Sequence, residues 1–160
     1  VSMDKSYNGE GAVPALCDKL TERVRTRVAE LGKPVVIVGW SLGGYVAREV
    51  SRELPDDVLA VITMGAPVIG GPKYTAAAPY FLKLGQDLDW IETEIANRER
   101  NPIKQPITLI YSKSDAVVDW RAAQDHSSPN VTTIEMDVAH MSMGFDLKVL
   151  NMVVEAIRQV

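Results

Sequence analysis

Residues 35–44 read VVIVGWSLGG, and no other stretch narrows the possible folds as much. Four β-branched residues, Val35, Val36, Ile37 and Val38, run into Gly39-Trp40-Ser41-Leu42-Gly43, and the helix-forming segment Tyr45 to Leu54 follows. An apolar strand, a G-x-S-x-G turn and a helix in that order form the setting in which this motif carries a reactive serine. Strand and helix must pack closely there, and the serine at the apex sits in a strained conformation, so small residues are expected on both flanks. The turn would raise the Ser41 hydroxyl at the carboxyl end of the strand. It would also aim the first free N–H groups of the helix, that of Leu42 foremost, at whatever the serine attacks.

A serine is a poor nucleophile until a base stands beside it. The chain has two histidines, so candidates are few. His140 lies in the loop Asp137-Val138-Ala139-His140, beyond a strand expected over Val131 to Met136. His126 lies in the polar loop Asp125-His126-Ser127-Ser128-Pro129 ahead of that strand, at what would be the opposite edge of the sheet. Loops at the carboxyl ends of parallel strands gather beside one crevice, which favours His140. Asp115 follows a third strand, Pro106 to Tyr111, and completes the order Ser41, Asp115, His140. His140 would take the Ser41 proton, Asp115 would orient the imidazole, and the Leu42 N–H would face the developing oxyanion. Asp119 rivals Asp115 but could instead cap a short helix over Trp120 to Asp125. Asp137, three residues before His140, reads as a turn former. Trp40, Leu42, Pro67, Val118 and Met141 flank these positions and could line an apolar acyl pocket, with ordinary core packing as the alternative.

The rest of the chain fits an α/β order. Val13, Leu16, Cys17, Leu20, Val24, Val28 and Leu31 recur at spacings of three and four, one face of a helix that Gly32-Lys33-Pro34 ends. A loop is expected over Ser2 to Gly11. Val35 to Val38 has no polar alternation, which usually marks a strand central in a parallel sheet. Val46, Val50 and Leu54 line the second helix, and Val58 to Met64 gives the second strand, making a βαβ unit. Residues 68–105 are less regular, with Gly70-Gly71-Pro72 as a turn and one or two helices over Phe81 to Arg100 carrying Leu82, Leu88, Ile91 and Ile95. Arg98-Glu99-Arg100 reads as a solvated face. Leu147, Leu150, Val153, Val154 and Ile157 define a last amphipathic helix.

Composition excludes several classes. A chain of 160 residues is expected to form one domain, and a net charge of −4 with no basic cluster argues against nucleic-acid binding. The apolar runs are too short to span a bilayer. No Cys/His pairs suggest a metal site, and the chemistry outlined needs no cofactor. Cys17 is the only cysteine, so no internal disulfide can form. With no signal peptide in the polar stretch VSMDKSYNGEG, a reducing, cytoplasmic setting is favoured, although the chain starts at Val1 rather than Met.

GWSLGG, SKSDAVVD and AHMSM, taken together, resemble the α/β-hydrolase family in its lipase and esterase branch, as does SYNGEG before the first helix. The resemblance covers the chain from Gly11 onward. It implies a mostly parallel sheet flanked by helices, here the C-terminal portion of the fold with about four strands. It also implies a serine hydrolase acting on a small-molecule or lipid ester, with Asp115 as the acid, since the family's aspartate precedes a small residue and two valines. In the family, an insert at 68–105 forms a cap; a surface crossover is the plainer alternative. The family also carries strands ahead of the nucleophile strand and a His-Gly loop that gives a second oxyanion N–H. Neither is found in this sequence. Val35 to Val38 would then be an unprotected edge. A fragment, a chain split from its N-terminal half, or edge-to-edge pairing with another chain is expected. Acyl transfer or thioester hydrolysis would use the same residues. A catalytically silent binding module of the same fold is the alternative from another class.

Overall fold

The computed structural model describes residues 12–160, so the loop expected over Ser2 to Gly11 lies outside the described residues. Helix α1 (Ala12–Leu31) buries Val13, Cys17 and Val24 and turns Leu16 and Leu31 outward. It stops at Gly32, whose φ of 65° lets its N–H reach the Val28 carbonyl at 2.8 Å. Strand β1 (Val35–Trp40) leads through Ser41 into α2 (Leu42–Glu53), and β2 (Val58–Met64) follows. A 3₁₀ turn (Gly71–Tyr74), α3 (Ala78–Lys83) and α4 (Leu88–Glu99) connect β2 to β3 (Ile107–Tyr111). Then come β4 (Val131–Glu135), a 3₁₀ turn (His140–Ser142) and α5 (Leu147–Arg158).

The four strands lie in the order β1-β2-β3-β4, every neighbouring pair parallel. Strand alternation sorts the core onto two faces. Val61, Ile107 and Leu109 pack with α1, α2 and α4, while Ile62, Met64 and Ile110 pack with Val149, Val153 and Ala156 of α5. The central place belongs to β2, which is flanked on both sides and buried along almost its whole length. Among the described residues β1 is an edge strand, and Val38 on it is 41% exposed.

Several expectations need correction. Trp120 to Asp125 is not a helix. The N–H groups of Ala122 and Ala123 both bond to the Asp119 carbonyl, a single turn, and the chain then bends where the Asp125 carboxylate takes the N–H groups of Ser127 and Ser128. Residues 78–99 do hold two helices, but Leu82 faces outward while Leu88, Ile91 and Ile95 are buried. On α5 the buried positions are Val149, Val153 and Ala156; Leu147, Leu150, Val154 and Ile157 lie on the exposed side. A helix with apolar residues on both sides offers two candidate faces, and the position of the sheet selects between them.

The largest correction concerns charge. Arg98 and Glu99 do not form a solvated face but close a buried ionic network with α2. Arg48, 1% exposed, bonds Asp125 at 2.7 Å and Glu99 at 3.2 Å. Arg52 bonds Glu99 at 2.7 Å, and Arg98 bonds the buried Glu49. Burial alone would raise the Asp125 carboxyl, but the Arg48 charge and the Ser128 N–H outweigh it and hold it well below the usual carboxylate range. Cys17 lies close enough to feel this field. Burial first, and then the Glu49 and Glu53 charges, push its thiol up to about 12.

Candidate active site

Ser41 is the one non-glycine residue with positive φ among the described residues, at φ 53° and ψ −127°. Such a conformation costs on the order of 1–3 kcal/mol and must be held by its surroundings. Its N–H donates to the Met64 carbonyl at 2.8 Å, which extends the β1–β2 ladder to the turn. Its carbonyl accepts from Gly44 N–H at 2.9 Å, which starts α2. The close packing falls on Gly39 and Gly44 rather than on both motif glycines. A Cβ at Gly39 would lie 2.4 Å from the Gly43 carbonyl oxygen, and one at Gly44 would lie 2.6 Å from the Ala66 Cβ. At Gly43 a Cβ would meet nothing within 4 Å.

The structure brings Ser41, His140 and Asp115 together. His140 Nε2 is 3.0 Å from Ser41 Oγ, and Nδ1 is 2.7 Å from Asp115 Oδ2. Against a carboxylate at that distance Nδ1 carries the proton, which leaves the Nε2 lone pair to accept the serine O–H. The side chains of His140 and Asp115 are 4% and 2% exposed, so little water competes for these bonds. The other carboxylate oxygen, Asp115 Oδ1, accepts the N–H groups of Val117 and Val118 at 2.7 and 2.9 Å. Those two bonds fix the acid independently of the histidine. Asp119 caps its own turn through the Arg121 N–H, and Asp137 accepts from the Ser114 hydroxyl. His126 is exposed on its loop ahead of β4.

Two supports were not anticipated. Gly65 ends β2 with φ 53°, and a Cβ there would come within 3.0 Å of Asp115 Oδ2 and 3.1 Å of His140 Nδ1. Only a residue without a side chain leaves room for that hydrogen bond. The one signal in sequence was a glycine directly after the second strand. Ser112, buried at the end of β3, accepts from the N–H groups of Ser114 at 3.0 Å and Val138 at 3.2 Å. It thereby ties the loop of the acid to the loop of the histidine.

A cavity of about 200 Å³ opens beside Ser41, lined by Leu42, Pro67, Val118, Tyr45, Thr75 and Phe81 among others. Trp40 and Met141 do not line it. The Trp40 ring lies on the other side, 5.8 Å from the His140 ring and edge-on to Phe145, and Met141 is 65% exposed. Strand alternation explains Trp40, because its neighbour Ser41 turns the opposite way. Leu42, as the first residue of α2, has an N–H with no helical carbonyl four residues back to accept it. Among the described residues no cluster of His, Cys, Asp or Glu could hold a metal ion, and no helix is long and apolar enough to cross a membrane.

A parallel sheet carries a serine on a strained strand-to-helix turn, with an acid and a histidine on later strand ends. The chain belongs to the alpha/beta hydrolase family, whose model matches residues 8–149. Solved structures agree on the fold. One described as LipS or LipT, metagenome-derived lipolytic enzymes, aligns at TM-score 0.72 and 13% identity over 94% of this chain and 75% of that one. The Pyrococcus furiosus esterase Pf2001 aligns at TM-score 0.62 and 20% identity over 94% of this chain and 65% of that one. The Rhodococcus 2-hydroxy-6-oxo-6-phenylhexa-2,4-dienoate hydrolase aligns at TM-score 0.61 and 13% identity over 91% and 72%. No curated protein matches the chain. At these identities the likeness is one of fold, and the fold alone does not choose the bond that is cleaved.

Proposed function

We propose that the protein is a serine hydrolase that cleaves a carboxylic ester through an acyl-enzyme on Ser41. The observation that carries this reading is the hydrogen-bonded row of Ser41, His140 and Asp115, at 3.0 and 2.7 Å. In the first half, His140 Nε2 takes the hydroxyl proton as Ser41 Oγ adds to the ester carbonyl carbon. The Leu42 N–H donates to the resulting oxyanion; removing one such donor costs roughly 10²–10³ in rate. Collapse of the intermediate breaks the bond to the alkoxy oxygen, which leaves with the proton from His140. In the second half, water adds to the acyl carbon as His140 takes one of its protons, and the bond to Ser41 Oγ breaks as His140 returns that proton to Oγ and the acid departs. Asp115 orients the imidazole and takes no proton in either half. Its own bonds to Val117 and Val118 keep it in place while the imidazole becomes charged.

A fluorophosphonate probe tests the reading, because it reacts only with a serine hydroxyl whose proton can be taken up. The wild-type protein is expected to be labelled at Ser41, as read by mass spectrometry of the modified peptide. A folded protein that takes no label at Ser41 would remove the enzyme reading.

A further inference from the structure

We infer that the acyl half of the substrate is a short, uncharged hydrocarbon chain held in the cavity between the first turn of α2 and residues 71–81. The inference rests on the assignment of Ser41 as the nucleophile. Position comes first. The cavity is lined by Ser41 and Leu42 but not by His140. The imidazole must return its proton to the leaving alcohol, so the alcohol lies on the histidine side. The acyl chain points the other way, past the Leu42 N–H and into the cavity.

Polarity decides the class. No charged side chain lines the cavity. Besides Ser41, its hydroxyl-bearing residues are Tyr45 and Thr75, and Thr75 is engaged within its own loop: Oγ1 donates to the Pro72 carbonyl at 2.9 Å and accepts the Ala77 N–H at 3.1 Å. A carboxylate or ammonium entering here would shed its water and meet no side chain of opposite charge.

Volume decides the length. The cavity holds about 200 Å³. That lies below the ~300–1,000 Å³ of sites for drug-sized ligands, which favours a short chain. Its outer wall is pinned rather than loose. Ala76 N–H bonds the Val117 carbonyl at 2.7 Å and Asp119 N–H bonds the Tyr74 carbonyl at 3.0 Å, so the 71–77 segment is stitched to the loop carrying the acid. Phe81 is half-buried against the core and forms part of the far wall.

The test is a series of p-nitrophenyl esters from acetate to dodecanoate, with the hemisuccinate as the charged member. We expect kcat/KM to peak between butyrate and hexanoate and to fall about tenfold or more by dodecanoate. The hemisuccinate should stand roughly a hundredfold below butyrate. Phe81→Ala should move the optimum to longer chains by about two carbons, and Ala77→Phe should move it to shorter ones. Fluorophosphonate labelling of Ser41 in each variant reports whether the row is intact. A profile that is flat or still rising at dodecanoate, or equal use of the hemisuccinate, would overturn the inference. So would an optimum unmoved in both variants while labelling persists. Those results leave Ser41 as nucleophile. Absence of labelling and of all ester turnover would instead remove the nucleophile and this inference with it.

Discussion

Helix α2 serves two buried regions built from the same kinds of side chain. At its start, Ser41 meets an imidazole that meets a carboxylate. About two turns further on, Arg48, Glu49 and Arg52 enter a network with Arg98, Glu99 and Asp125. Each region also holds a serine hydroxyl next to a proton acceptor. Ser41 Oγ faces the His140 ring at Nε2. Ser127 donates to Glu99, a carboxylate already held by Arg48 and Arg52. That carboxylate is already engaged by two guanidiniums, so the second arrangement is structural. Hydrogen bonding alone does not distinguish the regions. What does is the acceptor: an imidazole backed by one carboxylate at Ser41, against a carboxylate already bonded to two guanidiniums at Ser127.

Substitutions in the row should therefore remove activity and spare stability. His140→Ala should lower kcat by about 10⁶ and abolish fluorophosphonate labelling. Ser41→Gly should do the same to kcat while raising the unfolding free energy by about 1 kcal/mol, since relief of the positive φ exceeds the added chain entropy. Urea unfolding measures that gain; a loss there would mean that the turn is not strained. Asp115→Asn keeps the shape but invites the wrong tautomer, and kcat should fall by about 10⁴ with little change in KM. Labelling that survived His140→Ala would end the distinction between the two regions, because the row would then not be what activates Ser41.

The row was legible in the sequence because each member sits in its own short signal. Ser41 lies in a G-x-S-x-G after VVIV, Asp115 in SKSDAVVD after a strand, and His140 in the loop after the last strand. Parallel strands deliver all three to one edge, so their meeting needs only the order of elements. The network was not legible, because its bonds join residues 77 and 51 apart through Arg48 and 49 apart through Arg98. Locally, REVSRE and NRER look like any solvated helix surface, and only the packing of α4 on α2 shows that they face each other. The same limit explains α5, whose apolar residues on two sides gave no local reason to prefer Val149 over Leu150. It explains Trp40 and Met141 too. Nearness to the row in sequence did not say on which side of it a side chain would lie.

The network can be broken separately. Asp125→Asn leaves Arg48 with a lost partner in a buried place, so the unfolding free energy should fall by about 3–5 kcal/mol while kcat of the folded protein stays within about twofold. The pH dependence follows from the sign of the shift. The Asp125 carboxyl is held below its unfolded value, so the stability it adds is complete above about pH 4 and is lost as pH falls from there. Wild-type and variant stabilities, measured by urea unfolding across pH, should converge on the acid side. Curves that stayed parallel would mean that the ionised Asp125 is not what the network depends on.

The smallest effect is expected at the point where the two regions could be confused. His126 is the other imidazole of the chain, and it follows Asp125 directly, at the rim of the network. It is exposed, on the loop ahead of β4 rather than beyond it. Nothing there offers the arrangement that His140 has, with a buried carboxylate behind the ring and a strained serine in front. His126→Ala should therefore change kcat by less than about twofold and stability by less than about 0.5 kcal/mol, as for a surface substitution away from special contacts. Labelling kinetics of Ser41 provide the sensitive measurement. A tenfold slowing in this variant would mean that the loop of the network reaches the site after all, and that the row and the network act as one unit rather than two.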